Sequence, residues 1–198
     1  MSSKSDAELW SRARDGDVGA FTNLFDRYGN AVYGYCFRRT ANWALAEDLT
    51  SIVFLEAWRR RREVSLAEEK VLPWLFGVAT NVIRNQRRSL RRYESTLSRL
   101  PPSESQPDFT DGLADRLADE QRMRELLARL SRLSEPEQEA FVLCAWQGFS
   151  SVEAGELLGI SPQTIRTRLR RARAELRDLA EDSGSDDDLS QAEGTVLL

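Results

Sequence analysis

Histidine is absent from this chain of 198 residues, and cysteine occurs only at Cys36 and Cys144. The first absence removes the commonest general base and metal ligand. The two thiols lie far apart with no CxxC, a pattern that suits buried, reduced thiols better than a disulfide or a zinc site. No P-loop, dinucleotide fingerprint or metal-ligand cluster occurs either. An enzyme is therefore disfavoured, and no cofactor, metal or small-molecule substrate is expected. No apolar run approaches the length of a membrane span, and the opening MSSKSDAELW has no signal-peptide core. A cytoplasmic protein is expected.

What is present is globular in composition, 41% apolar and 30% charged, with a net charge of −4. That charge is unevenly spread. Residues 1–92 carry 16 basic and 11 acidic groups, 93–120 carry 2 and 7, 121–180 carry 10 and 8, and 181–198 carry none and 6. Two basic blocks thus alternate with two acidic ones.

The most informative stretch runs from Gly148 to Leu176, GFSSVEAGELLGISPQTIRTRLRRARAEL. It reads as two short helices joined at Gly159, with Ser161 as N-cap and Pro162 at the first position of the second helix, where a missing N–H does no harm. In that helix Ile165, Leu169, Ala172 and Leu176 share one narrow face and should be buried. Gln163, Thr167, Arg170 and Arg171 point roughly opposite, with Arg166, Arg168 and Arg173 on the flanks, and no acid falls between Ser161 and Arg173. Such a helix suits a major groove, with arginines on phosphates or guanine edges. A solvated basic helix is the bland alternative for the arginine run alone.

From the N-terminus, a short helix is expected over Asp6–Arg14, then a turn and cap at Asp15-Gly16-Asp17. Ala20, Phe21, Leu24, Phe25, Tyr28, Val32, Tyr35 and Cys36 form an aromatic-rich core stripe. A helix from Trp43 to about Arg62 buries Leu45, Leu49, Ile52, Val53 and Ala57, while Glu47, Asp48, Thr50, Ser51 and Glu56 face outward and Phe54 and Trp58 project as a partner surface. Its early acids and late arginines also suit the helix dipole. VLPWLFGVATNVIRNQRRSLRR runs from an apolar turn into Asn81, Arg84, Asn85, Gln86, Arg87 and Arg88. Those residues read as a second nucleic-acid contact, to single strands, or as an ordinary basic helix end. Residues 93–118 hold three prolines and read as a flexible linker. From about Asp119 a helix carries Met123, Leu126, Leu127, Leu130 and Leu133, then Ser134-Glu135-Pro136-Glu137 caps another that stops at Gly148. After Ala180 the acidic tail is expected to be disordered. The fold class is all-α: two small helical domains joined by a flexible acidic linker, the second containing a helix-turn-helix.

AEDLTSIVFLEAWRR, LPWLFGVATNVIRNQRR and LSEPEQEAFVLCAWQGFSSVEAGELLGISPQTIRTRLRRARAEL, in this order around an acidic proline-containing linker, closely resemble a bacterial extracytoplasmic-function (ECF) sigma factor of the sigma-70 family. The resemblance covers roughly residues 15–177. It implies a factor that recruits core RNA polymerase to promoter DNA: an N-terminal segment over 1–14, region 2 over 15–92, a linker over 93–118, region 4 over 119–180 and a tail over 181–198. It places Asp48, Ser51, Phe54, Glu56 and Trp58 at the core-polymerase contact. It places Asn81 in the pocket for a melted minus-ten base, with Trp74, Arg84, Asn85, Arg87 and Arg88 close by. The minus-thirty-five element falls to Arg166, Thr167, Arg170 and Arg171, with Ser161, Gln163, Thr164 and Arg173 beside them. An anti-sigma factor is implied as a sequestering partner. Position 170 varies widely in the family, so no promoter sequence carries over. Gly155 stands where the family usually has a side chain and is expected to weaken its helix by up to about 1 kcal/mol. The alternative is a stand-alone helix-turn-helix regulator, which leaves the surfaces around Ala46–Arg60 and Asn81–Arg88 unexplained.

Overall fold

The computed structural model describes residues 5–66, 70–97 and 113–183, and these form helices and turns with no strand among them. None of the described helices is long and apolar enough to cross a membrane. The chain divides into two compact units, Met1–Arg124 and Glu125–Leu198.

The first unit is built from α1 (Asp6–Arg14), α2 (Val18–Thr40), α3 (Trp43–Arg60), α4 (Val71–Leu97) and the front of α5 (Leu113–Leu130). Each early helix starts on a side chain that takes up an otherwise unpaired N–H. Ser5 Oγ accepts from Glu8 N at 3.3 Å, Asp17 Oδ1 from Ala20 N at 2.9 Å, and Asn42 Oδ1 from Leu45 N at 2.8 Å. The core holds Leu9, Trp10, Leu24, Val32, Tyr35, Leu49, Val53, Leu75, Phe76, Ala79 and Ile83. Each fully buried aliphatic side chain contributes about 1.5–3 kcal/mol of transfer free energy. Two polar contacts, one a buried pair and one a part-buried triad, tie these helices together. Tyr35 Oη and Thr80 Oγ1 lie 2.8 Å apart between α2 and α4, and buried Asp6 accepts from both Arg27 and Tyr28, tying α1 to α2. Burial first, then the Asp6 hydrogen bond, pushes the Tyr28 hydroxyl up to about 12. Cys36 is fully buried and its thiol is pushed up to about 11 by that burial, while Cys144 is half-buried; both are free.

Several expectations are corrected. Phe54 does not project: it is 5% exposed and packs edge-on against Phe21 and Phe25, at centroid distances of 6.2 and 4.8 Å. It takes the inward place expected of Ile52, which turns out to solvent with Leu55. Phe25, expected in the core, is 44% exposed, because α2 must serve partners on several sides and its stripe is wider than they cover. Helix also reaches into both ends of the expected linker: α4 continues to Leu97 and α5 starts at Leu113. Only the prolines between are strong breakers, and YESTL and LADRLA carry mostly helix-compatible residues. Residues 98–112, with most of the expected linker, and the tail from 184 lie outside the described residues.

The α2–α3 corner is tight. Ala41 ends α2 with φ 49°, the only positive φ at a non-glycine among the described residues, and Asn42 at once caps α3. Trp43, the first residue of α3, stacks on Phe37 and Tyr33. Its backbone N donates to Glu120 Oε1 at 2.9 Å and its indole Nε1 to the Arg116 carbonyl at 3.2 Å. The front of α5 therefore packs with the first unit.

The second unit contains the rest of α5, α6 (Glu135–Phe141) leading into a π-helical turn (Val142–Trp146), α7 (Ser151–Leu158) and α8 (Pro162–Ser183). Glu137 folds back to accept from Ser134 N at 3.0 Å and from Ser134 Oγ at 2.6 Å. Leu130, Leu133, Ala140, Leu143, Trp146 and Ala154 form a floor against which Ile165 and Ala172 are fully buried.

Two outcomes test this account. Relief of the left-handed strain should leave Ala41→Gly neutral or stabilised by up to about 1 kcal/mol in urea unfolding, whereas Ala57→Gly in mid-helix should cost about 1 kcal/mol or more. The Asp17 carboxyl is held below its usual 3.8 by the Ala20 N–H and then by Arg12. Its contribution is thus present above 3.8 and lost as pH falls through the lower folded value, and Asp17→Asn should flatten that acid limb of a stability–pH curve.

Candidate nucleic-acid interface

The α7–α8 corner depends on a close backbone approach. Ser150 and Glu153 cap α7 reciprocally, with Ser150 N donating to Glu153 Oε2 at 2.9 Å and Glu153 N to Ser150 Oγ at 3.3 Å. The helix ends at Gly159, whose φ of 67° turns the chain, and Ile160 N donates to the Gly155 carbonyl at 3.0 Å. A Cβ at position 155 would stand 2.7 Å from the Ile160 carbonyl oxygen and 3.3 Å from Pro162 N. Gly155 is therefore what lets the second helix turn back over the first. The expectation that it merely weakens α7 is corrected.

Ser161 caps α8, accepting from Thr164 N at 3.1 Å, and its hydroxyl lies 2.8 Å from that of Thr164. Ile165, Leu169, Ala172 and Leu176 are all buried, as their spacing predicts. Ser161, Gln163, Arg166, Arg170, Arg171 and Arg173 are exposed, and Thr164, Thr167 and Arg168 are half-buried. Thr167 Oγ1 donates to the Gln163 carbonyl at 3.0 Å and Arg166 Nε to Gln163 Oε1 at 3.2 Å. Ser161 and Thr164 thus hold the first turn, while Gln163 and the four exposed arginines make a continuous outward basic surface.

On α4, Leu75, Phe76, Ala79, Thr80 and Ile83 are buried, and Asn81, Asn85 and Arg88 form an exposed row at steps of four and three. Arg84 and Arg87 flank it, half-buried, and Arg87 Nη2 donates to the Arg39 carbonyl at 3.0 Å. Trp74, one row-repeat before Asn81, leans edge-on against Trp10 of α1 at 4.9 Å. The ring at the head of the row is thereby fixed in place. Arg39 itself is 3% exposed, a buried arginine that sequence reasoning did not single out.

On α3, Asp48 and Ser51 are exposed, and Glu56 pairs with Arg59 at 2.7 Å. Trp58 is half-buried between Phe21, at 5.1 Å, and the Arg61 guanidinium, 3.8 Å over its ring. Exposed Ile52 and Leu55 adjoin Asp48 and Ser51 on the outer face, giving a mixed apolar and acidic surface. Ile52 was missed because its apolar character read as core, and Leu55 was not assigned to either face. The signal that could have found them is one helical step of phase: placing Phe54 inside places both outside.

Comparison with known proteins identifies the family to which both units belong. The Sigma-70 region 2 family matches residues 24–93 and Sigma-70, region 4 matches 123–176. RNA polymerase sigma factor CarQ of Myxococcus xanthus is 36% identical over 171 residues, 85% of this chain and 93% of that protein. ECF RNA polymerase sigma factor BldN of Streptomyces coelicolor is 33% identical over 83% of this chain, which spans 62% of BldN. Among solved structures, CnrH in complex with the cytosolic domain of CnrY shares the fold at a TM-score of 0.67, with 24% identity over 90% of this chain and 99% of that one. RpoE in complex with the anti-sigma factor NepR from Bartonella quintana does so at 0.62, with 22% identity over 81% and 96%. Nothing in these comparisons supports a stand-alone regulator.

Gly155→Ala should cost the second unit about 1–3 kcal/mol, read as a lowered urea midpoint, since the clash is with backbone rather than a side chain that can swing away. An unchanged midpoint would show that the corner does not need the close approach.

Proposed function

We infer, for a chain that belongs to the sigma-70 family of bacterial RNA polymerase sigma factors in its extracytoplasmic-function class, a division of labour among the three surfaces above. The protein is a promoter-recognising sigma factor, so its partners are core RNA polymerase and promoter DNA. Sigma factors are initiation factors rather than enzymes. We assign this chain no bond chemistry of its own and a place in the cytoplasm with the polymerase.

The observation that carries the assignment is the carboxylate-free arginine face of α8, held outward by a buried stripe on the opposite side. In our reading α8 enters the major groove of the minus-thirty-five element, with Arg166, Arg170, Arg171 and Arg173 on phosphates or guanine edges and Gln163 and Thr167 beside them. A good bidentate arginine–guanine contact discriminates by about 1–3 kcal/mol. The α4 row of Asn81, Asn85 and Arg88 takes the unpaired minus-ten strand, Asn81 supplying both a donor and an acceptor to a flipped base and Arg84, Arg87 and Arg88 the phosphates. Unstacking costs a few kcal/mol per base, and capture on such a surface offsets it. Trp74 acts here as a buttressed wall of the row. The outer face of α3 meets the polymerase through Asp48, Ser51, Glu56 and the neighbouring Ile52, Leu55 and Trp58, with Phe54 supporting them from within.

Region 2 work then falls to residues 15–92 and region 4 work to 119–180, joined by 93–118. Membership in the ECF class also supports an anti-sigma factor that sequesters these surfaces.

Mixed with core polymerase free of other sigma factors, the purified chain should give discrete transcript starts on genomic DNA of its source, sharing two upstream elements. Asn81→Ala and Arg171→Ala, both at exposed positions, should each reduce those starts about tenfold or more. Arg177→Ala, further along α8, should change them less than about twofold. An absence of discrete starts would overturn the assignment.

A further inference from the structure

We propose that the acidic segment following α8, residues 184–198, occupies the basic face of the same helix when DNA is absent and is displaced by the duplex. The proposal deepens the reading of α8 as the DNA-reading helix and rests on it.

Three observations carry it. Arg166, Arg170, Arg171 and Arg173 are exposed, and no carboxylate among the described residues pairs with any of them. Arg166 and Arg170 stand four apart and Arg170 and Arg173 three apart, spacings at which like charges repel. Among the described residues the face therefore has no paired countercharge. Glu175, the first acid of α8, is already turned toward Arg132 at 3.9 Å.

Charge along the sequence is complementary about one point. From Ser161 to Ala174 there are five arginines and no acid, and from Glu175 to Leu198 there are eight acids and one arginine. Asp186, Asp187 and Asp188 are consecutive and Glu193 follows five residues later, so the segment presents closely spaced negative charge much as a phosphate backbone does.

The reach is sufficient. At ~1.5 Å per residue of helix, Arg173 lies about 15 Å and Arg166 about 26 Å back from Ser183. An extended chain covers ~3.3 Å per residue, so Asp186–Asp188 span about 10–17 Å and Glu193 about 33 Å from the same point. Gly184, placed at the reversal, permits either sign of φ. Doubling back thus brings the aspartates alongside Arg173, with Arg171 and Arg170 a side chain's length beyond the last of them, and leaves Glu193 enough chain to reach Arg166. Tethering holds the acids at millimolar effective concentration, and the contact is exposed and therefore sensitive to salt.

The test compares the full chain with a chain ending at Ser183 and with a full-length Asp186→Asn, Asp187→Asn, Asp188→Asn, Glu193→Gln variant. Without DNA, backbone and arginine side-chain NMR shifts should differ between the full chain and both variants at Arg166–Arg173, and the differences should vanish at high salt. Binding to a mixed-sequence duplex of about 30 bp at low salt should be about tenfold tighter for both variants. In an Arg170→Ala, Arg171→Ala background that gain should disappear. Shift differences absent from α8, or a gain that survives in that background as a general effect of net charge, would overturn the proposal. Shift differences that grow with protein concentration would assign the segment to a second copy and overturn it as well. If Arg170→Ala, Arg171→Ala leaves duplex binding of the Ser183-terminated chain unchanged, the DNA reading of α8 itself fails; if it weakens that binding while the acidic segment has no effect, only the present proposal fails.

Discussion

One-sided burial of the two long polar helices is the constraint on which the proposed interfaces depend. On α8 the buried set is Ile165, Leu169, Ala172 and Leu176, and on α4 it is Leu75, Phe76, Ala79, Thr80 and Ile83. The α8 stripe is narrow and the α4 face, which also buries Val71 and Val78, is broader, yet on either helix a rotation by one residue would bury an arginine or an amide and expose an apolar side chain. Either change would cost several kcal/mol, because an uncompensated guanidinium in the core is heavily penalised. The orientation of Arg170, Arg171, Asn81 and Arg88 is therefore a consequence of apolar packing on the other side. No specific contact has to hold these polar groups outward.

Packing fixes rotation, and the corners fix translation. At the α7–α8 corner a glycine with no room for a Cβ, a left-handed glycine three residues before the next helix and a serine cap place the first turn of α8 within a few residues of the buried floor. At the α2–α3 corner a left-handed alanine and an asparagine cap do similar work in two residues, and Trp43 then stacks on α2. Short, capped corners leave little slack, which suits helices whose outward residues are proposed to meet a groove or the polymerase at defined spacing.

Much of this was legible from the residues alone. The caps at Asp17, Ser134 and Ser161, the break at Gly159 and the α8 stripe each follow from one local rule and stand where that rule puts them. What could not be read were choices between neighbouring phases of an apolar stripe. Ile52, Phe54 and Leu55 are all apolar, and their spacing does not say which faces the core until the rings of Phe21 and Phe25 are there to receive Phe54. The reach of α4 and α5 into the expected linker was hidden for a related reason: proline marks where helix cannot continue and says little about how near to it helix persists. The tie between Trp43 and the front of α5 joins residues more than seventy positions apart and leaves no periodic trace. The Gly155 requirement is also tertiary, since only the folded corner brings the Ile160 carbonyl to it.

The placement of charge completes this logic. An isolated net charge of −4 argues against binding a polyanion, yet several of the described carboxylates are tied into structural roles. Asp6 is buried under Arg27 and Tyr28, Asp17 and Glu153 cap helices, and Glu56 holds Arg59. Long-range attraction to DNA is screened within about 10 Å at ordinary salt, so the local field at a surface matters more than the total. A protein with this distribution can remain acidic overall, which limits indiscriminate binding, while each surface proposed to meet nucleic acid is locally positive.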